Sequence, residues 1–395
     1  MLKLKRLTIH KFPRVKPGTE LVFNDGFNVL LGVNGSGKTT LLKLLTYLIS
    51  GELLPLKESE FHLAYHLERE EETCTYSIQY FPPGRPGGSQ PDNITHSELI
   101  FHRPGQTDRV TIKGDVVSVT QDDVTQIDAR RAGTSPLLPR LADELVLRAK
   151  LSHFYATDRL DESTRWLDRV TDSAHLEAIE PYIWDPRSTQ SAFERFICEY
   201  LRRSSEQDVH QIDASHLPFL QRAATLLGCT SASLQFQLKQ KERVEPHEFF
   251  RYAFGDFRFR FVKADGTRLT HHELSYGQQR LLAFHYYAAM HPKIIVADEL
   301  TNGLHHAMID QCIGLIGGRQ AFLATQNPLL LDNLPGFTSV DEVHSTFILC
   351  STERENGREQ MVWRNMTVDE AENFYRDYKV GISHVNDILR SWGLW

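Results

Sequence analysis

Hydrophobic and polar positions change period several times along this chain, and the changes divide it. Over residues 3–12, KLKRLTIHKF alternates apolar and polar side chains, the two-residue period of a half-buried strand. ELVF and GFNVLLG continue as short strands. KTTLLKLLTYLI then sets leucines at helical spacing and is apolar on nearly every side, which predicts a buried helix. Between 61 and 120, FHLAYHLE, CTYSIQYF, SELIFHR, RVTIKG and DVVSVT predict antiparallel hairpins, with FPPGRPGGSQP as a surface connection. Residues 137 to about 245 read as helical, cut into pieces by Pro136, Pro139, Pro181, Pro186, Pro218 and Gly228.

The longest stretch there without Pro or Gly, 140–180, would reach only about 60 Å as one helix. No heptad persists, so no long coiled-coil arm is expected. Strand patterning returns at FRFRFVKADGTRL, followed by LSYGQQRLLAFHYYAAM as turn and helix. KIIVADE and QAFLATQ read as buried strands, STFILC and QMVWR as further strands. TVDEAENFYRDY reads as a helix in which Thr367 and Glu370 have capping-box spacing. Strands alternating with helices around apolar runs predict an α/β fold with a largely parallel sheet. The expected divisions are 1–125, an N-terminal lobe with β hairpins; 126–255, a helical insertion; and 256–395, a C-terminal lobe.

Composition narrows the picture in a few respects. A net charge of −7 excludes a protein that coats nucleic acid over its whole surface. Residues 1–50 nevertheless hold eight Lys/Arg against two Asp/Glu, so a local basic patch stays open. The five cysteines show no CxxC pair and no metal spacing, and read as reduced structural thiols. The basic N-terminus is followed by no apolar leader core, and no run approaches the roughly 18 apolar residues of a membrane span. A soluble, cytoplasmic protein with no membrane partner is expected.

Candidate chemistry begins with GVNGSGKTT. It fits G-x-x-x-x-G-K-[ST] from Gly32 to Thr39, after a strand and before a helix. Glycines let backbone N–H groups curl round phosphates without a clashing Cβ, and the helix N-terminus adds positive dipole. Gly32, Asn34, Gly35, Ser36, Gly37, Lys38, Thr39 and Thr40 are therefore the expected ATP cradle. Lys38 would reach the β- and γ-phosphates, and the Thr39 hydroxyl would hold Mg2+. In KIIVADE, Asp298 and Glu299 emerge at the carboxyl end of a strand, where open α/β sheets place ligands. Asp298 suits Mg2+, and Glu299 suits a general base for the attacking water.

LSYGQQR, from Leu274 to Arg280, resembles the signature motif of ABC-type ATPases, and the order of loop, signature and DE strand is theirs. That resemblance implies an ATPase head in which two copies pair head to tail around ATP. Ser275 and Gly277 of one copy would then grip the γ-phosphate held by Lys38 of the other. Within that superfamily the chain is similar to the cytosolic SMC, RecF and OLD branch. With TNGLHH after the DE pair and ATQNPLLLD beyond it, it looks most like the compact AriA- or PtuA-like ATPases of prokaryotic anti-phage systems.

Two positions depart from that pattern. His305 stands where relatives carry Asp, and Gln326 takes the place of the usual switch histidine. Gln326 can donate a hydrogen bond at the γ-phosphate but cannot carry charge, so slow hydrolysis is expected. The family's Q-loop glutamine is not fixed; Gln121 and, less well, Gln79 are candidates. His271, His272, His305 and His306 lack metal-ligand spacing, FHYYAAM reads as core, and Phe12 or Phe27 is better placed for packing than for stacking on adenine. No HNH or PD-(D/E)xK constellation occurs. The leading expectation is thus an ATP switch, a dimer or higher oligomer, controlling a separate effector such as a nuclease. A RecF-like DNA clamp for repair and a slow, ATP-assembled scaffold are the alternatives.

Overall fold

A computed structural model of the chain describes residues 3–50, 59–81, 95–104, 106–113, 116–121, 124–128, 169–171, 196–197, 200–201, 209–244, 249–291, 293–355, 357–381 and 383–394. Two compact units divide the chain. One comprises residues 1–153, 293–299 and 318–395, the other 154–292 and 300–317.

The first unit opens with β1 (Lys3–Lys11), β2 (Thr19–Val22), β3 (Phe27–Leu31) and α1 (Lys38–Ser50). An antiparallel series follows: β4 (Phe61–Arg69), β5 (Glu72–Tyr80), β6 (Thr95–Arg103), β7 (Gln106–Lys113), β8 (Val116–Gln121) and β9 (Val124–Asp128). The second unit contributes β10 (Arg169–Thr171), β11 (Val209–Asp213), α2 (Pro218–Leu226), β12 (Cys229–Val244), β13 (Phe249–Lys263), β14 (Arg268–Thr270) and α3 (Tyr276–Met290). The chain then crosses to the first unit for β15 (Ile294–Asp298), back for α4 (His306–Ile316), and returns for β16 (Gln320–Ala324). The remaining elements are α5 (Pro328–Asp332), α6 (Val340–Thr346), β17 (Phe347–Glu355), β18 (Arg358–Asn365), α7 (Val368–Val380) and α8 (Val385–Ser391).

Two sheets build the first unit. One has eight strands in the order β2-β1-β4-β5-β6-β7-β8-β9, and the pairs along it are antiparallel. The other runs β15-β16-β3-β17-β18, parallel from β15 to β17 with β18 antiparallel at its edge. Central strand β3 is buried from Asn28 to Leu31, which is why NVLL is a continuous apolar run behind one asparagine and not an alternating one. Gln320, wholly buried, ties the first strand of one sheet to the other. Its Oε1 accepts from the Leu4 N–H at 2.7 Å, and its Nε2 donates to the carbonyls of Leu4 and Asn24 at 2.8 Å. A buried amide with both ends satisfied fixes register where apolar contacts alone would allow slip.

α1 is buried almost all round, with Leu41, Leu42, Leu44, Leu45, Leu48 and Ile49 within 1% of full burial, as its pattern predicts. The hairpins expected between 61 and 120 are present as β4 to β8. Thr367 and Glu370 form the expected capping box on α7, and Arg364 adds a two-pronged ion pair to Glu370 at 2.6 and 2.8 Å.

The helical insertion expected over 126–255 holds only in part where that region is described. Apart from α2, its longer elements are strands. β12 and β13 pair antiparallel from Cys229 with Lys263 to Val244 with Phe249. Gln, Lys, Glu and Arg in SASLQFQLKQKERV are good helix formers, but the buried residues alternate: Ala232, Leu234 and Phe236 face Phe257, Phe259 and Phe261 of the partner strand's interior. Cross-strand burial overrides helix propensity here. The rest of that expectation lies outside the described residues. Among those described, the longest helix is α3 at 15 residues, so none forms a coiled-coil arm.

Candidate functional site

β3 ends at Leu31 and α1 begins at Lys38, leaving residues 32–37 as a tight loop at the helix N-terminus. Gly32, Gly35 and Gly37 have φ of 146°, 84° and 87°, conformations that L side chains avoid. A Cβ on Gly32 would lie 2.1 Å from the Cys350 carbonyl oxygen, and one on Gly37 2.3 Å from Met361 Sδ. Lys38, 7% exposed, donates to the carbonyls of Gly32 at 2.7 Å and Val33 at 3.1 Å. Its ammonium is held over the loop from within. Thr40 is half-buried in the first turn of α1.

β15 lies beside β16 and β16 beside β3, so the carboxyl end of β15 opens at the same sheet edge as the loop. The Thr39 hydroxyl donates to Asp298 Oδ2 at 2.5 Å. A hydroxyl and a carboxylate side by side form a hard-oxygen donor set, and that set fits Mg2+. Glu299 follows in the left-handed region at φ 49°, with its N–H donating to the Ala324 carbonyl at 2.8 Å. That conformation costs a non-glycine residue roughly 1–2 kcal/mol and aims the carboxyl group out of the strand line. Glu299 Oε2 accepts from the Gln326 N–H at 3.3 Å, while Gln326 Nε2 donates to Asn34 Oδ1. One residue therefore joins the carboxylate to the loop. Asn34, Lys38, Thr39, Asp298, Glu299 and Gln326 are brought together.

Ser275 and Gly277 belong to the second unit. Ser275 caps α3 through a capping box with Gln278: its N–H donates to Oε1 at 2.9 Å and its Oγ accepts from the Gln278 N–H at 3.4 Å. Gly277 lies so close to the Gly303 carbonyl that a Cβ would come within 2.4 Å, and Gly303 sits at φ 72° against the ring of Tyr276. Arg280, 1% exposed, donates to the Leu300 carbonyl at 3.4 Å. His305 occupies the N-cap position of α4 without a side-chain cap bond.

Other candidates find structural uses. His271 is buried and its Nδ1 accepts from the Phe259 N–H at 3.2 Å. Phe284, Tyr286 and Tyr287 are fully buried. Phe27 starts β3, at the far end from the loop, and Phe12 packs against the core. Gln79 lies on β5 opposite His62, and Gln121 ends β8.

Three residues at the loop escaped sequence reasoning: Cys350, Met361 and Trp363. Trp363, 2% exposed, donates from Nε1 to the Ser36 carbonyl at 3.3 Å. Burial pushes the Cys350 thiol up to about 12, against the opposing pull of the Lys38 charge, so it is a neutral packing group. QMVWR shows a strand, but no local signal says which loop that strand will back.

A family described as "AAA domain" matches residues 6–134. A second, described as "AAA domain, putative AbiEii toxin, Type IV TA system", matches residues 130–332, more than half of the chain. The chain belongs to this AAA-domain family. This AAA-domain protein is also 34% identical over 87 residues to the DNA replication and repair protein RecF of Glaesserella parasuis serovar 5 (strain SH0165). That match covers 20% of this chain and 24% of RecF, so the chain spans about a quarter of its relative. The family matches support an AAA-type ATPase domain. Among solved structures, the SMC head bound to the C-winged helix domain of ScpA is 13% identical, covers 92% of this chain and 98% of that one, and gives a TM-score of 0.41. The recombination mediator protein RecF-ATPrS in the RecFOR pathway is 12% identical over 93% and 98%, with a TM-score of 0.32.

Proposed function

We propose that this AAA-domain protein is an ATP-driven switch: it binds and slowly hydrolyses ATP, closes head to tail with a second copy, and controls a separate effector in anti-phage defence, in the manner of AriA- or PtuA-like ATPases. The observation that carries the reading is Glu299, set at the strand end by the Gln326 N–H while the Gln326 side chain engages Asn34 of the loop. In this reading Lys38 and the loop amides of residues 32–40 hold the phosphates, Thr39 and Asp298 hold Mg2+, and Glu299 orients the attacking water. Ser275 and Gly277 complete the pocket of the other copy. Gln326 supplies a neutral donor, which keeps turnover slow. The family description, with its type IV TA system toxin, fits a role in defence.

The decisive experiment is Glu299→Gln purified with ATP and Mg2+. Retained nucleotide, a dimer by light scattering and a co-purifying effector are expected. Normal hydrolysis by that variant would remove Glu299 from its role, and a nucleotide-bound monomer would remove the head-to-tail pairing.

The RecF match favours a second reading, a DNA clamp using the basic residues of 1–50. It requires DNA-stimulated hydrolysis that falls steeply with salt. Salt-insensitive or absent DNA binding would eliminate it.

A further inference from the structure

We infer that the β17–β18 hairpin, through Trp363 and Met361, is a positioning element of the phosphate loop, so that ATP affinity depends on a strand outside every nucleotide-binding motif. This rests on reading residues 32–40 as an ATP site.

The hairpin places three side chains at the back of the loop. Cys350 and Trp363 are direct cross-strand partners, and Met361 lies two residues before Trp363, on the same face of β18. The Cys350 carbonyl closes off Gly32, Met361 Sδ closes off Gly37, and the Trp363 indole N–H donates to the Ser36 carbonyl at 3.3 Å. The strand cannot easily slip to a different register. On one edge it pairs with β17 along its whole length. On the other, the Met361 N–H donates to the Arg14 carbonyl at 2.6 Å and its carbonyl accepts from the Lys16 N–H at 2.9 Å.

Trp363 acts on orientation through the peptide plane. In a trans peptide the C=O of one residue and the N–H of the next point in opposite directions. Holding the Ser36 carbonyl toward the indole therefore turns the Gly37 N–H away from the hairpin, to the side on which the loop curls. Gly37, at φ 87°, belongs to a residue type with many alternative conformations, and Met361 removes the space some of them need. Loop amides that are already aimed give up less entropy when a phosphate arrives.

Trp363→Phe keeps a buried ring while deleting the donor and part of the indole's bulk. With the Ser36 carbonyl released, the dissociation constant for ATP should rise about five- to tenfold. The single-turnover hydrolysis rate at saturating ATP should stay within about twofold, because the loss falls on uniform binding, while the melting temperature without nucleotide should fall modestly from the lost bulk and the unpaired carbonyl. Met361→Ala should act in the same direction and Met361→Leu should restore affinity; that pair carries the test if Trp363→Phe does not fold. Wild-type affinity in Trp363→Phe, or in Met361→Ala, overturns the brace alone. A wild-type protein that binds no ATP overturns the reading of the site, and the brace with it.

Discussion

Replacing His285 by leucine should flatten the acid side of this protein's stability profile. His285 lies on α3, 3% exposed, with both ring nitrogens buried and without a hydrogen-bond partner. Burial, helped by the positive charge of Arg222, lowers its pKa from 6.5 to about 4. The unfolded chain takes up this proton near pH 6.5, whereas the folded chain refuses it until about pH 4. Stability is therefore complete above pH 6.5 and is lost as pH falls through that window. The gap between 6.5 and about 4, at about 1.4 kcal/mol per pH step, corresponds to about 3 kcal/mol by pH 4. Some 2 kcal/mol of it, roughly, should already be gone at pH 5. Urea unfolding of wild type and His285→Leu at pH 7 and pH 5 measures the difference directly. The variant should match or exceed wild type at pH 7, because two orphaned polar atoms are removed, and should lose about 2 kcal/mol less on going to pH 5. Parallel losses in the two proteins would refute the reasoning and place the proton elsewhere.

Three further outcomes are expected. Glu299→Gly should abolish hydrolysis yet raise stability by about 1 kcal/mol, since glycine accepts φ 49° without strain; a fall in melting temperature would show that the carboxylate contributes more than its backbone costs. Gly32→Ala drives a Cβ to 2.1 Å from the Cys350 backbone, which cannot swing aside, so at least a tenfold loss of ATP affinity by isothermal titration is expected, about 1.4 kcal/mol; unchanged binding would contradict the loop geometry. Gln326→His should give the turnover rate a dependence on pH near 6.5 that wild type lacks, and identical pH–rate profiles would remove residue 326 from the reacting site.

Much of the architecture follows from short-range pattern. GFNVLLG, KTTLLKLLTYLI and KIIVADE are read correctly because each is set by features within a few residues: apolar continuity, helical spacing, a glycine-rich turn. Asp298 beside Thr39 was legible for the same reason, since a strand's carboxyl end opens where the sheet binds ligands. FRFRFVK of β13 was read as a strand too, but β12 was not. Its helix-forming composition competes with an alternation whose benefit appears only when Leu234 and Phe236 meet Phe259 and Phe261 across the strands.

Residues alone settle the strand and helix that flank the loop, where the loop forms, and that its glycines are obligatory, because these depend on backbone sterics and local periodicity. Which distant strand closes the back of the loop is a different kind of question. Trp363 lies 327 positions from Ser36 in the chain, and their contact exists only after β17 has paired with β3 and β18 with β17. The same holds for Gln326 reaching both Glu299 and Asn34. Such contacts come from sheet order, which is set by the burial of whole strands against one another and leaves no mark on the residues it brings together.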